Sequence, residues 1–209
     1  MHGSRTARGG FTLVEVLCVI AIIASLATII FPVFPKTIGV AKRTTCLSNL
    51  VQIGYGLEMY ATDNDDRYPY SVNGIERLVP GTPLGLKPGD DPNILPLTVD
   101  VLAPYVQDRR VWICPMDTGR DFGRRLTARP HFYAFNAGSS YFMIDEVRGQ
   151  TTTCWSDPSE QGYAMDASTA WHSPDPDSLN DDLLRHNILY YDGHVANVNM
   201  KAPTITYLP

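Results

Sequence analysis

The sequence predicts an α+β fold: one long N-terminal helix, apolar in its first half and amphipathic in its second, laid across a small antiparallel sheet. Three observations point there. Residues 11 to 34 carry a single charge, Glu15. Apolar residues then recur at helical spacing as far as Tyr60. Beyond residue 62 the chain breaks into short β-prone segments separated by Gly, Pro and Asp, and a helix followed by a run of strands is the α+β order. A length of 209 residues suits one domain plus an accessory element, since domains cluster at ~100–150 residues.

Three kinds of segment fit residues 1–34. A cleaved secretory signal has an apolar core of ~7–15 residues and a small-residue cleavage site. Here the run spans 24 residues and leads into Phe31, Pro32, Val33, Phe34 and Pro35, with no such site. A membrane anchor fits the length, because ~20 helical residues span ~30 Å of hydrocarbon. Arg5 and Arg8 then keep the N-terminus in the cytoplasm. An anchor alone gives no reason for Glu15, since a carboxylate at mid-bilayer costs on the order of 2.5–3.5 kcal/mol, less near an end, and usually has a partner. A cut between Gly10 and Phe11 supplies one. The new α-amine of Phe11 is a cation one helical turn from Glu15, and the amine of a neighbouring subunit would serve as well. Gly9 and Gly10 give a protease access to backbone that a helix would protect.

Past Lys36 the pattern turns amphipathic. Cys46, Leu50, Ile53, Leu57 and Tyr60 recur at one helix face, while Lys42, Arg43, Asn49, Gln52 and Glu58 fall largely elsewhere. The helix is predicted over residues 11–62, roughly 78 Å long and loosened near Pro32 and Pro35. A coiled-coil seam and packing on the chain's own sheet both fit this stripe, and five contacts favour the sheet. The resulting division is a leader over residues 1–10, an apolar helix over 11–34, an amphipathic continuation over 35–62, and a globular antiparallel β domain with irregular loops over 63–209.

Residues 62–69, TDNDDRYP, end the helix. Asp63, Asp65 and Asp66 are hard oxygen donors and make calcium the ion to weigh. The EF-hand spacing fails, with Arg67 at its fifth place and Tyr68 where glycine belongs, so a solvated turn is expected. Residues 74–96 read as an irregular loop. A short helix, a strand at 111–113 and a turn are predicted within residues 102–119. Strands follow at 140–144, 162–165, 187–191, 194–198 and 204–207. Asp192-Gly193 between β-prone arms reads as a two-residue type I′ hairpin turn.

Taking Arg5 and Arg8 from 17 basic residues leaves 15 against 22 acidic ones, a balance of −7. Nucleic acid, which selects basic patches, is therefore not an expected partner. Cys18 sits in the apolar run as a small hydrophobe. Cys46, Cys114 and Cys154 fall in the region expected to be exported, where one bridge and one spare thiol are the natural outcome; the residues alone do not choose the pair. His172, His186 and His194 with Asp166 and Asp192 could form a metal or acid–base set, and the hairpin ends could bring His186 and His194 together. No HExxH, GxSxG or Cys–His–Asn pattern supplies a nucleophile, so a hydrogen-bonding role is expected. Tyr133, Tyr141, Tyr163, Tyr190, Tyr191 and Trp155 fit either a sheet core or a glycan-stacking surface.

The leader and helix start, RGG-FTLVE, resemble the processing site of type IV prepilins and type II secretion pseudopilins. The likeness implies cleavage after Gly10 by a prepilin peptidase, N-methylation of Phe11, and pairing of Glu15 with a neighbour's Phe11 amine as a filament grows. It implies a pilin-like fold, with Pro32 as a helix-softening proline. TCLSNLVQIGYGLEMYATDNDDRYP, WICPMDTG and RHNILYYDGHV resemble a bacterial pseudopilin-like group with a histidine nine residues before an Asp-Gly; here five residues separate His186 from Asp192. That group implies a Cys46–Cys114 bridge, contributing ~2–4 kcal/mol, with Cys154 spare. The function so implied is structural: a pseudopilin of a type II secretion pseudopilus or type IV pilus-like filament, not an enzyme. It would be single-pass in the bacterial inner membrane with its C-terminal domain periplasmic. Implied partners are other pilin-like subunits, the peptidase, an inner-membrane assembly platform and lipid. No cofactor is expected; the metal candidates carried forward are calcium at Asp63 and Asp65, and His186, Asp192 and His194. A tip pilin binding a ligand or glycan and a membrane-anchored periplasmic hydrolase are the alternatives.

Overall fold

The computed structural model describes residues 12–74, 77, 86, 89–117, 120–121, 124–125, 137–144, 148–153, 156–167, 169–172 and 185–199. Helix α1 spans Leu13–Asp63 without a break, two residues inside the expected start and one past the expected end. Pro32 lies within it and cannot donate to the Thr28 carbonyl. Hydroxyls in the apolar stretch bond to the helix itself. Ser25 Oγ donates to the Ile22 carbonyl at 2.7 Å, Thr28 Oγ1 to Ser25 at 2.7 Å, and Thr37 Oγ1 to Val33 at 3.2 Å. Each polar group thereby has a partner that needs no water.

The chain divides into two compact units, Met1–Ala41 and Lys42–Pro209. In the second, α1 from Cys46 onward buries the expected stripe. Cys46, Leu50, Ile53 and Leu57 are at most 2 % exposed, Ala61 joins them, and Tyr60 packs at the edge. Against them lies a four-stranded antiparallel sheet in chain order: β3 (Tyr141–Met143), β4 (Gly162–Asp166), β5 (Arg185–Tyr190) and β6 (Val195–Asn199). A separate two-residue ladder pairs β1 (Arg120–Asp121) with β2 (Arg124–Arg125). The four main strands lie within one or two residues of the expected ones; the strand expected at 204–207 lies outside the described residues. Gly54 is where sheet and helix approach. A Cβ there would stand 2.8 Å from Leu189 Cδ2, and the Tyr163 hydroxyl donates to the Gly54 carbonyl at 3.2 Å.

Three expectations are corrected. Residues 111–113 are not a strand: Arg109–Trp112 is a 3-10 turn, and the short helix expected within residues 102–119 falls earlier, as α2 (Thr98–Val101). The reason is local. Asp108 accepts from the Arg110 backbone N–H at 2.9 Å and grips its guanidinium, which coils the backbone, while Val111 and Trp112 are both buried, an adjacency no half-exposed strand permits. The turn after it is present, closed by the Asp117 N–H on the Cys114 carbonyl at 2.9 Å.

The second correction is the hairpin loop. Gly193 alone in it has positive φ, at 85°, so a type I′ turn is ruled out. Gly193 N–H bonds to the Tyr190 carbonyl, and Tyr190 N–H to His194, giving a three-residue loop with glycine in the left-handed position. Third, Asn49 is 6 % exposed rather than on the polar face. Its amide donates to the Ile113 carbonyl at 3.1 Å and to the Tyr141 hydroxyl at 3.2 Å.

Candidate functional site

At the start of α1, Thr12 and Glu15 close on each other. The Thr12 backbone N–H donates to Glu15 Oε2 at 3.4 Å, and the Glu15 backbone N–H donates to Thr12 Oγ1 at 3.2 Å. This is a capping box: both bonds satisfy N–H groups that the helix leaves without partners, and the carboxylate sits at the positive end of the helix dipole. Glu15 thus has a local role that the sequence reading missed, although T-x-x-E ahead of an apolar run signals it. Gly10 and Phe11 lie outside the described residues. Downstream the large apolar side chains are exposed, from Leu13 at 81 % to Phe31 at 76 %. The helix is long and apolar enough to cross a membrane.

The second unit gathers its chemistry around Asp166, which is fully buried at the end of β4. Asp166 Oδ2 lies 2.9 Å from His172 Nε2 and accepts the Asn187 backbone N–H at 3.0 Å; Oδ1 lies 2.8 Å from His186 Nδ1. Burial pushes this carboxyl up, but hydrogen bonds from the two imidazoles overcome it and hold the group below the ordinary aspartate range. His172, on the 3-10 turn Thr169–His172, is fully buried, and its backbone carbonyl accepts from Arg43 Nη2 at 3.1 Å. The same nitrogen, His172 Nε2, lies 3.7 Å from Cys114 Sγ. Cys114 is joined to Cys46 by a disulfide with a Cα–Cα distance of 5.2 Å. Cys154, expected as the spare thiol, lies outside the described residues, as do Tyr133 and Trp155.

His186 and His194 do not meet. His186 pairs across the hairpin with Val198 and His194 with Tyr190, so four residue steps along β5 separate them, about 13 Å of strand. His194 instead stacks on the Tyr190 ring at 4.2 Å and sits 2.5 Å from Asp192 Oδ1, an exposed pair at the loop. Burial pushes the Asp192 carboxyl up, and hydrogen bonds from His194 bring it below its usual range. At the end of α1, Asp63 accepts from the Tyr105 hydroxyl at 2.9 Å. Asp65 and Asp66, with φ of 55° and 53°, make the left-handed turn that ends the helix, and the Asp66 N–H returns to the Ala61 carbonyl. Asp63 and Asp65 therefore have structural work in the turn itself.

A hydrolase would need a nucleophile beside these imidazoles. Among the described residues no hydroxyl hydrogen-bonds to the ring of His172 or His186, and the sulfur beside His172 is in the disulfide. Ser140 Oγ donates to Asp117 at 2.9 Å. Tyr141, Tyr163 and Tyr190 are buried in the core rather than presented for stacking. Burial pushes the Tyr141 phenol far up; for Tyr163 burial and then the Glu58 charge do the same. A cavity of about 240 Å³ lies between α1 at Val51–Glu58 and the hairpin loop, floored by Gly54, Tyr163 and Leu189, without a histidine.

Comparison with known proteins places weight on the helix start. The prokaryotic N-terminal methylation motif matches residues 5–31. Over its matched region the chain is similar to proteins named type II secretion system core protein G, from several bacteria. The one from Klebsiella michiganensis is 35% identical over 75 residues, covering 36% of this chain and 52% of the relative. That from Pseudomonas aeruginosa gives the same 35% over 75 residues, again 36% and 52%. For Escherichia coli the figures are 37% over 70 residues, 34% and 48%. The chain spans about half the length of the curated relatives it matches. No solved structure matches it. The segment RGG-FTLVE thus lies within the matched methylation motif, and the relatives carry a type II secretion name.

Proposed function

We propose that the chain is a pilin-like structural subunit of a type II secretion pseudopilus or a related filament, matured by cleavage between Gly10 and Phe11. The observation that carries the proposal is the helix start: a methylation motif over residues 5–31, then a capped helix whose large apolar side chains are exposed among the described residues of its unit. Packing of many such helices buries those faces in a filament core. The N-terminus lies on the cytoplasmic side and the sheet unit is exported, as Arg5 and Arg8 favour. Partners are like subunits, the processing peptidase, an assembly platform in the inner membrane and lipid. The protein's own role is mechanical, with no reaction or cofactor of its own.

The capping box sharpens the test of Glu15. Glu15→Ala loses both the charge and the cap acceptor, whereas Glu15→Gln keeps an oxygen for the Thr12 N–H and loses only the charge. If pairing with a neighbour's Phe11 amine sets the stagger, both variants should insert and be processed normally yet yield sheared filament near background. Normal filaments from Glu15→Gln would mean that the acid serves only the cap. For processing, Gly10→Val should retain residues 1–10, read by intact mass of the membrane-extracted protein; a mature mass beginning at Phe11 would refute the assigned cut.

A further inference from the structure

The proposed filament role makes no use of the cluster formed by Cys46, Cys114, His172 and Asp166. Its geometry points to a second cross-link available to the same residues. We propose that, when the Cys46–Cys114 disulfide is reduced, the two thiolates, His172 Nε2 and Asp166 Oδ2 bind one zinc ion inside the second unit.

The donor set has the right types and spacing. The sulfurs and the His172 nitrogen lie within 4.8 Å of one another, all on fully buried residues. A tetrahedral zinc with Zn–S near ~2.3 Å and Zn–N near ~2.05 Å requires an S···N edge of about 3.6 Å. Cys114 Sγ already stands 3.7 Å from His172 Nε2. The two sulfurs must separate to about 3.8 Å, which opening the bond permits. Asp166 stands outside that three-residue set: its Oδ2 is 2.9 Å from the same nitrogen and must shift toward the sulfurs to close the fourth corner. Its other oxygen is held by His186 Nδ1 at 2.8 Å, the outer hydrogen bond that fixes a ligating carboxylate.

The proton and electron balance closes. A phosphine or thiol reductant delivers two electrons and two protons to the S–S bond, giving two thiols. Zinc then displaces both thiol protons to solvent. The imidazole switches tautomer, its proton moving from Nε2 to Nδ1, a buried atom with no hydrogen-bond partner among the described residues. Disulfide and zinc are therefore exclusive ways of tying α1 to the turn at Cys114, selected by redox state and metal supply.

The experiment uses full-length protein in detergent, carrying Cys18→Ser and Cys154→Ser so that no other thiol competes. It is reduced with a phosphine and titrated with cobalt(II) as the spectroscopic probe. The expected result is one cobalt per chain, with the thiolate charge-transfer and intense d–d bands of a tetrahedral site, bleached by one equivalent of zinc. His172→Gln should abolish those bands, and His186→Gln should weaken cobalt binding by about 10–100-fold. Should His172→Gln fail to fold, the unsubstituted chain carries the test. Zinc should then protect Cys46 and Cys114 from alkylation mapped by peptide mass. No tetrahedral spectrum after reduction, equal binding by the oxidised protein, or no protection of both cysteines would overturn the proposal.

Discussion

Asp166→Ala should destabilise the second unit by about 3–5 kcal/mol, the cost of removing one partner from a buried charged pair. The residue is fully buried and accepts from a backbone N–H and faces two imidazoles, so its loss strands His172 Nε2, His186 Nδ1 and the Asn187 N–H together. Asp166→Asn keeps the shape and should cost less, because its amide oxygen can still accept from one histidine. The measurement is denaturant unfolding of the full chain in detergent, followed by tryptophan fluorescence. Trp112, Trp155 and Trp171 all belong to the second unit, and Trp112 and Trp171 are buried there, so the signal excludes the apolar helix. A loss below about 1 kcal/mol for Asp166→Ala would mean that the cluster is not what holds β4, β5 and the 3-10 turn together.

A pH dependence follows with a fixed sign. In the disulfide-bonded protein the Asp166 carboxyl lies below its ordinary value despite burial, because His172 and His186 hydrogen-bond to its ionised form. A depressed folded pKa contributes stability that is whole above the unfolded value of about 3.9 and is lost as pH falls through the lower folded value. Wild-type midpoints should therefore drop more steeply below about pH 4 than those of Asp166→Asn.

The parts legible in the sequence are those where one periodicity dominates. Cys46, Leu50, Ile53 and Leu57 reveal the buried face of α1 because a 3.6-residue repeat survives any tertiary context. The strands of the C-terminal hairpin were legible from β-branched and aromatic residues flanking Asp-Gly; the loop type was not, because Asp192 keeps negative φ and the glycine takes the bulge position. Residues 111–113 misled because their β-propensity was outweighed by the side chain of Asp108. Asn49 was invisible as a core residue, since what makes its burial tolerable is a carbonyl at Ile113 and a hydroxyl at Tyr141, 64 and 92 residues away. The same holds for the site. His172, His186 and Asp166 were visible as residue types, but their meeting depends on the β4–β5 register, which no local pattern encodes.

Removing the Cys46–Cys114 bridge should cost about 4 kcal/mol, because the bond closes a loop between residues 68 apart and so restricts the unfolded chain strongly. It joins the middle of α1 to the turn that leads from the 3-10 helix toward β1, elements that are also linked by the Asn49 bond to the Ile113 carbonyl. The double Cys46→Ala, Cys114→Ala variant isolates the effect, since Ser would add a buried hydroxyl costing about 1–3 kcal/mol of its own if unpaired. Unfolding by the tryptophan signal should shift to lower denaturant in this variant. A phosphine reductant with a metal chelator should shift the wild type by nearly the same amount and leave the variant unmoved. Equal midpoints for wild type with and without reductant would mean that native packing around His172 and Leu50 alone sets the stability. The chelator matters because trace zinc would replace one cross-link by the other and hide the loss. The size of the shift on adding zinc to the reduced wild type therefore measures how well the metal substitutes for the covalent bond.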